Sequence, residues 1–162
     1  MRIRTPPGTV RWLRTARTLT RLHHRPVPAR PSHRAQLLAL VAVLDEAVAA
    51  QTPADAAVAA CGDPGPVSPQ TARLCSRQSS TLHRLRTRLQ DLELSDPDLL
   101  RAQAHAARLL AYDLWMLRES LDLAFTLRPD PRTEATRLRL NGLGRHADDL
   151  RRLRDGLREE AG

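Results

Sequence analysis

Two cysteines, six histidines and a scatter of carboxylates are the side chains in this 162-residue sequence with reactive or metal-binding chemistry. Cys61 and Cys75 bracket Gly62-Asp63-Pro64-Gly65-Pro66, a run that punctuates the chain as a loop. A disulfide between them would close 15 residues. In an oxidising compartment such a loop stabilises by about 3 kcal/mol. Helical rise argues against the bridge. Cys75 lies nearly two turns into the helix that Ser68-Pro69 begins, so the loop has to climb about 9 Å to level the two sulfurs. Cys75 also falls on an apolar stripe, where a free thiol behaves as a small hydrophobe. The pair reads as two thiols, with a Cys61–Cys75 disulfide as the alternative.

The histidines divide by position. His23, His24 and His33 lie in the first 33 residues, and His83, His105 and His146 lie on three separate helical segments. Three histidines on three helices are enough for one zinc ion, but no ligand spacing argues for it. His146 sits near the apolar side of its segment and is expected to be hydrogen-bonded structure. Asp113, Glu119 and Asp122 cluster on one segment, where a solvated face or pairing with Arg accounts for them. A Gly-rich phosphate loop, Cys-x-x-Cys and His-Glu-x-x-His are all missing from the sequence. So is the Glu-x-x-His of carboxylate-bridged di-metal bundles. No catalytic, cofactor-binding or metal-binding residue is expected, and the chain reads as a non-enzyme.

Arginine offers a different chemistry. All 26 basic side chains are Arg, and residues 1–44 hold nine of them with no Asp or Glu, a charge of +9. Residues 45–162 hold seventeen Arg against eighteen acids, a charge of −1. A basic arm on a neutral body is the footprint of a segment that meets an anionic surface. On a helical wheel Arg11, Arg14, Arg17 and Arg21 fall on one side of residues 9–24, opposite Trp12, Ala16 and Leu19. Such a helix suits an anionic membrane or nucleic-acid phosphates, with weak and salt-sensitive binding. Three plainer readings stand beside it: a tail broken up by Pro6, Pro7, Pro26, Pro28 and Pro31, an Arg-rich leader, or a start codon set too far upstream. The abundance of Ala, Arg, Pro and Leu is what a GC-rich bacterial genome encodes.

The elements that must position these groups are helices. Ile3 is the only isoleucine and the aromatics number four, so strand-forming residues are scarce while Leu and Ala abound. Ala35 to Leu44 is a ten-residue apolar run, too short to span a membrane, which takes roughly 20. It reads as a core helix over 35–51, with an exported signal segment as the alternative. Thr52-Pro53 caps a restart or a kink, and 53–61 continues as helix. From Ser68-Pro69 onward Cys75, Gln78, Leu82, Leu85, Leu89 and Leu92 recur in steps of three and four, the spacing of a bundle seam. Arg73, Arg77, Arg84 and Arg88 lie off that seam and read as solvated. Ser95-Asp96-Pro97 starts the next helix. Its expected stripe is Leu100, Ala104, Ala107, Leu110, Leu114, Leu117, Leu121 and Ala124, flanked by Tyr112, Trp115, Met116 and Phe125. After a turn at 128–131, the segment 132–160 presents Leu140, Leu143, Ala147, Leu150 and Leu157 on one side. Asn141-Gly142 and Gly144 predict a break within it, and Asp148/Arg152 and Arg151/Asp155 are expected i,i+4 pairs.

The expectation is an all-α, up-down bundle of four main helices over 34–162 with a basic, partly disordered arm over 1–33. Its core is expected to include Leu82, Leu85, Leu89, Leu110, Leu114, Trp115, Leu117, Leu121 and Leu150. The functional reading is a binding or scaffold protein acting through protein–protein contacts or self-association, with anionic-surface binding by the arm as the alternative. Its expected location is the cytoplasm, or outside the membrane if 35–50 is a signal segment.

Overall fold

The computed structural model describes residues 31–126 and 130–162, so Arg11, Arg14, Arg17 and Arg21 lie outside the described residues. Helix α1 runs from His33 to Gly62, α2 from Pro69 to Gln90, α3 from Pro97 to Ala124, the short α4 from Pro131 to Arg137, and α5 from Arg145 to Ala161. No strand occurs among the described residues. The fold is all-α.

Local chemistry sets most of the helix starts. The Ser32 hydroxyl accepts from Ala35 N, Ser68 from Thr71 N, and the Asp96 carboxylate from Asp98 N and Leu99 N, each filling an orphan donor of the first turn. Proline follows directly at Pro69, Pro97 and Pro131, where its missing N–H costs nothing. Asp130 and Thr133 close a capping box on α4.

Helices α1, α2, α3 and α5 alternate in direction. His33, at the start of α1, meets Asp96 before α3 and Glu160 near the end of α5, at 3.0 and 3.3 Å. At the other end Cys61 of α1 meets Cys75 in the second turn of α2. Helices α1 and α3 pack against one another, and α2 and α5 each pack against both. The result is an up-down bundle, with α4 seated against α3.

Helix α1 is one continuous helix through Pro53. Losing one intrahelical bond at the proline is tolerated because Gln51, Ala54, Ala57 and Val58 on either side are fully buried. The ten-residue run understates its apolar reach. By length and composition α1 is long and apolar enough to cross a membrane, and half of its most apolar stretch is buried within the bundle. The expected break in the last segment is real. Residues 138–144 leave the helix, and Gly142 and Gly144 adopt positive φ, at 104° and 66°.

Of the six expected α2 seam positions Cys75, Leu82, Leu85 and Leu89 are buried and Gln78 and Leu92 are half-buried, while the four flanking arginines are exposed. Leu140, Leu143, Ala147, Leu150 and Leu157 are all buried too. The α3 seam differs. Its buried residues are Leu99, Ala106, Leu109, Leu110, Asp113, Met116, Leu117 and Ser120. Leu100 and Ala104 are exposed, Leu114 and Leu121 are half-buried, and Trp115 is 48% exposed. The helix is turned from the expected face by about one residue, some 100°. Counting only apolar residues passed over two polar side chains that the core accommodates. The ion pairs of α5 shift as well: Arg151 binds Asp148 and Arg152 binds Asp149, both at i,i+3.

Candidate functional site

Two buried polar sites lie along the inner face of α1. The first joins its middle to the middle of α3. Gln51 and Asp113 are both fully buried, and Gln51 Nε2 donates to Asp113 Oδ2 at 2.7 Å. Gln51 Oε1 and Asp113 Oδ1 have no partner. Burial pushes the Asp113 carboxyl up to about 6. The Gln51 amide and the charges of His146 and Arg151 oppose that rise, and the Asp55 carboxylate adds to it. A protonated Asp113 carries an O–H that can donate to the vacant Gln51 carbonyl oxygen. Acid and amide then form a closed pair with both orphan acceptors satisfied. Asp113 is thus not part of a solvated acidic face. The steps from Ala106 through Leu110 and Asp113 to Leu117 and Ser120 keep helical seam spacing, which was the available sign of its burial.

Asp55, one turn further along α1, holds the break before α5. Leu143 N donates to Asp55 Oδ1 at 2.7 Å. A Cβ on Gly142 would stand 2.5 Å from the same oxygen, so glycine is required there by both space and conformation. Next to this junction the His146 ring meets Tyr112 edge-on at 3.8 Å between centroids, and Tyr112 meets Trp115 at 5.4 Å. His83 and His105 are exposed, and among the described residues no three His, Cys, Asp or Glu side chains are grouped to hold a metal ion.

The second buried site is the cysteine pair. Cys61 Sγ and Cys75 Sγ are free thiols 3.7 Å apart, both fully buried, and Cys75 Sγ lies 3.7 Å from Ala57 O. The anticipated mismatch in height therefore does not arise. The loop from 63 to 68 runs past the end of α1 before α2 turns back, which brings Cys75 level with the last turn of α1. Hydrogen bonding from Cys75 holds the Cys61 thiol below its ordinary range, while that bond and burial push Cys75 well above. Cys61 also lines a cavity of about 420 Å³, bounded by Gly65 to Val67, the end of α3 and Thr133, Glu134 and Arg137 of α4.

The backbone packs closely beside this cavity. A Cβ on Gly62 would overlap Leu140 O, and Arg137 Nη1 donates to Gly62 O at 2.6 Å. Of the remaining core residues expected from sequence, Leu82, Leu85, Leu89, Leu110, Leu117 and Leu150 are buried. Leu114 and Leu121 are half-buried against the core, and Trp115 departs furthest from the expectation, an aromatic side chain half in solvent on α3. No family model, curated protein or solved structure matches this chain.

Proposed function

We propose that the bundle is a non-enzymatic binding or scaffold module that works through protein–protein contacts, including contacts between copies of itself. The observation that carries the reading is Trp115. A tryptophan left 48% exposed beside Tyr112 is a large apolar surface, next to a core that already holds more than twenty buried apolar side chains. Exposed aromatics of this kind anchor protein interfaces more often than any aliphatic residue does. The buried polar pair and the thiols lie inside the bundle, where they do not meet a macromolecular partner. On this reading the chain works in the cytoplasm.

Sedimentation of the full chain over a concentration series tests this, alongside Trp115→Ala. Association by the parent that is lost in the variant, with helicity unchanged, is the expected result. A parent that stays monomeric, and captures no protein that Trp115→Ala fails to capture, overturns it.

The charge asymmetry supports a second activity for the arm. Nine Arg without an acid over 1–44 favour contact with anionic lipid or nucleic acid. Affinity for duplex DNA then falls by roughly 0.9 log units per log unit of salt for each phosphate neutralised. Binding by the full chain that disappears in residues 34–162 and near physiological salt is expected. Salt-resistant, sequence-selective binding by 34–162 would move the activity to the bundle.

A further inference from the structure

The sequence holds only two cysteines, separated by a loop and carried on different helices, yet the fold sets their sulfurs in contact. Two adjacent thiols need only close from 3.7 Å to the bonding distance of about 2.0 Å. Closing that distance requires side-chain rotation and a small shift of the last turn of α1. A buried pair without access would be inert packing. Here Cys61, fully buried at rest, lies in the wall of a cavity of about 420 Å³ whose lining also includes Thr126, Thr133, Glu134 and Arg137, polar side chains that suit a small hydrogen-bonding oxidant. Cys75 lies behind Cys61 against Ala57 O and does not line that cavity. The two thiols are therefore unequal in place, Cys61 in the cavity wall and Cys75 behind it, and the hydrogen bond between them favours ionisation of Cys61.

We propose that Cys61 and Cys75 form a peroxide-oxidisable dithiol, in which Cys61 reacts first and Cys75 resolves it to a disulfide stapling the end of α1 to α2. The Cys61 thiolate attacks one oxygen of hydrogen peroxide, the O–O bond breaks, and hydroxide leaves, giving a sulfenic acid. The Cys75 sulfur then attacks the Cys61 sulfur and displaces the sulfenic oxygen, which leaves as water with the Cys75 proton. Both sulfurs are oxidised by one electron each, and one peroxide is reduced to two waters. An external thiol reverses the bridge by exchange.

The test uses the full reduced chain with hydrogen peroxide at a small molar excess, under native conditions and in urea. Intact mass under non-reducing conditions should show the loss of two hydrogens with no covalent dimer. After trypsin, the peptide of residues 35–73 should be joined to Leu74-Cys75-Ser76-Arg77. Cys75→Ser, with Cys75→Ala alongside in case the buried hydroxyl disturbs folding, should leave a sulfenic acid on Cys61 that dimedone traps. Cys61→Ala should leave Cys75 unlabelled. Thiols consumed only in urea would overturn the proposal, because the cavity would then give no path to Cys61. Covalent dimers, or separate over-oxidation of the two sulfurs in the parent, would overturn the pairing. Dimedone on Cys75 rather than Cys61 would overturn the order of reaction.

Discussion

Replacing Asp113 by asparagine should stabilise the bundle at neutral pH and leave it nearly unchanged at pH 4. The folded protein holds this carboxyl near pH 6, against 3.8 for the free group, because ionising it strands a charge between α1 and α3. A shift of roughly 2 units is worth about 3 kcal/mol at about 1.36 kcal/mol per unit. The sign follows from the direction of the shift. With the folded value raised, the favourable contribution is complete below the unfolded pKa and is lost as pH rises through the folded one. The parent should therefore lose about 2.4 kcal/mol from this group between pH 4 and pH 7, at no more than about 1.4 kcal/mol per pH unit. The asparagine side chain carries no charge at any pH, and its amide can both accept from Gln51 Nε2 and donate to Gln51 Oε1. Urea denaturation of parent and Asp113→Asn at pH 4, 5, 6 and 7.5, followed by circular dichroism, measures the difference directly. The other carboxylates titrate in both proteins and cancel. A constant offset across that range, or a variant less stable than the parent at pH 7.5, would refute the buried acid–amide pair.

Other perturbations separate the core from the surface. Leu117→Ala, at a fully buried position, should cost about 2–5 kcal/mol in chemical denaturation, and half-buried Leu114→Ala clearly less. Arg118→Ala, exposed on the same helix, should change stability by under ~0.5 kcal/mol; equal effects at 117 and 118 would place α3 in the wrong register. Gly62→Ala should lower the melting temperature and loosen the 137–140 turn, because its Cβ meets the rigid Leu140 carbonyl; an unchanged melting temperature would show that this turn moves freely. His33 is held above its ordinary pKa, first by its hydrogen bond to Asp96 and then by Glu160, so its contribution is present in acid and lost as pH rises through its folded value. His33→Ala should thus destabilise at pH 5.5 and be neutral at pH 9; a larger effect at the higher pH contradicts the pairing.

Helix starts, the α2 seam and the break before α5 were legible because each is written in nearest neighbours. A Ser or Asp followed by proline, a Leu every three or four residues and a Gly-rich interruption act through local backbone and side-chain geometry. The face of α3 was not legible in the same way. Its burial depends on Gln51, 62 residues earlier, offering Asp113 an amide in the core. Ser120 is accommodated by a different device, donating back to Met116 O at 2.9 Å. Apolar counting assigns both polar positions to the outside, and the error carries Trp115 inward with them. The nearness of Cys61 and Cys75 was hidden for a related reason. Helical rise measures height along one axis, whereas the loop's path past the end of α1 sets how two axes are offset.

The polar pair also bears on why this sequence adopts one bundle rather than several. Leu and Ala seams are nearly interchangeable one turn along, so α1 and α3 could slide past each other with little change in buried area. Sliding by a turn of about 5.4 Å would separate Gln51 from Asp113 and leave the buried polar atoms of both side chains without partners. It would also pull Asp55 from Leu143 N, the bond that places α5. Both contacts originate on the same face of α1, four residues apart, and bind different neighbours. Helix α1 therefore fixes the heights of α3 and α5 together, leaving the Leu-rich layers to supply affinity without having to supply register. The pair costs stability at neutral pH, and what it supplies is register. It accounts for a charged residue at the centre of a core that has enough leucine to do without one.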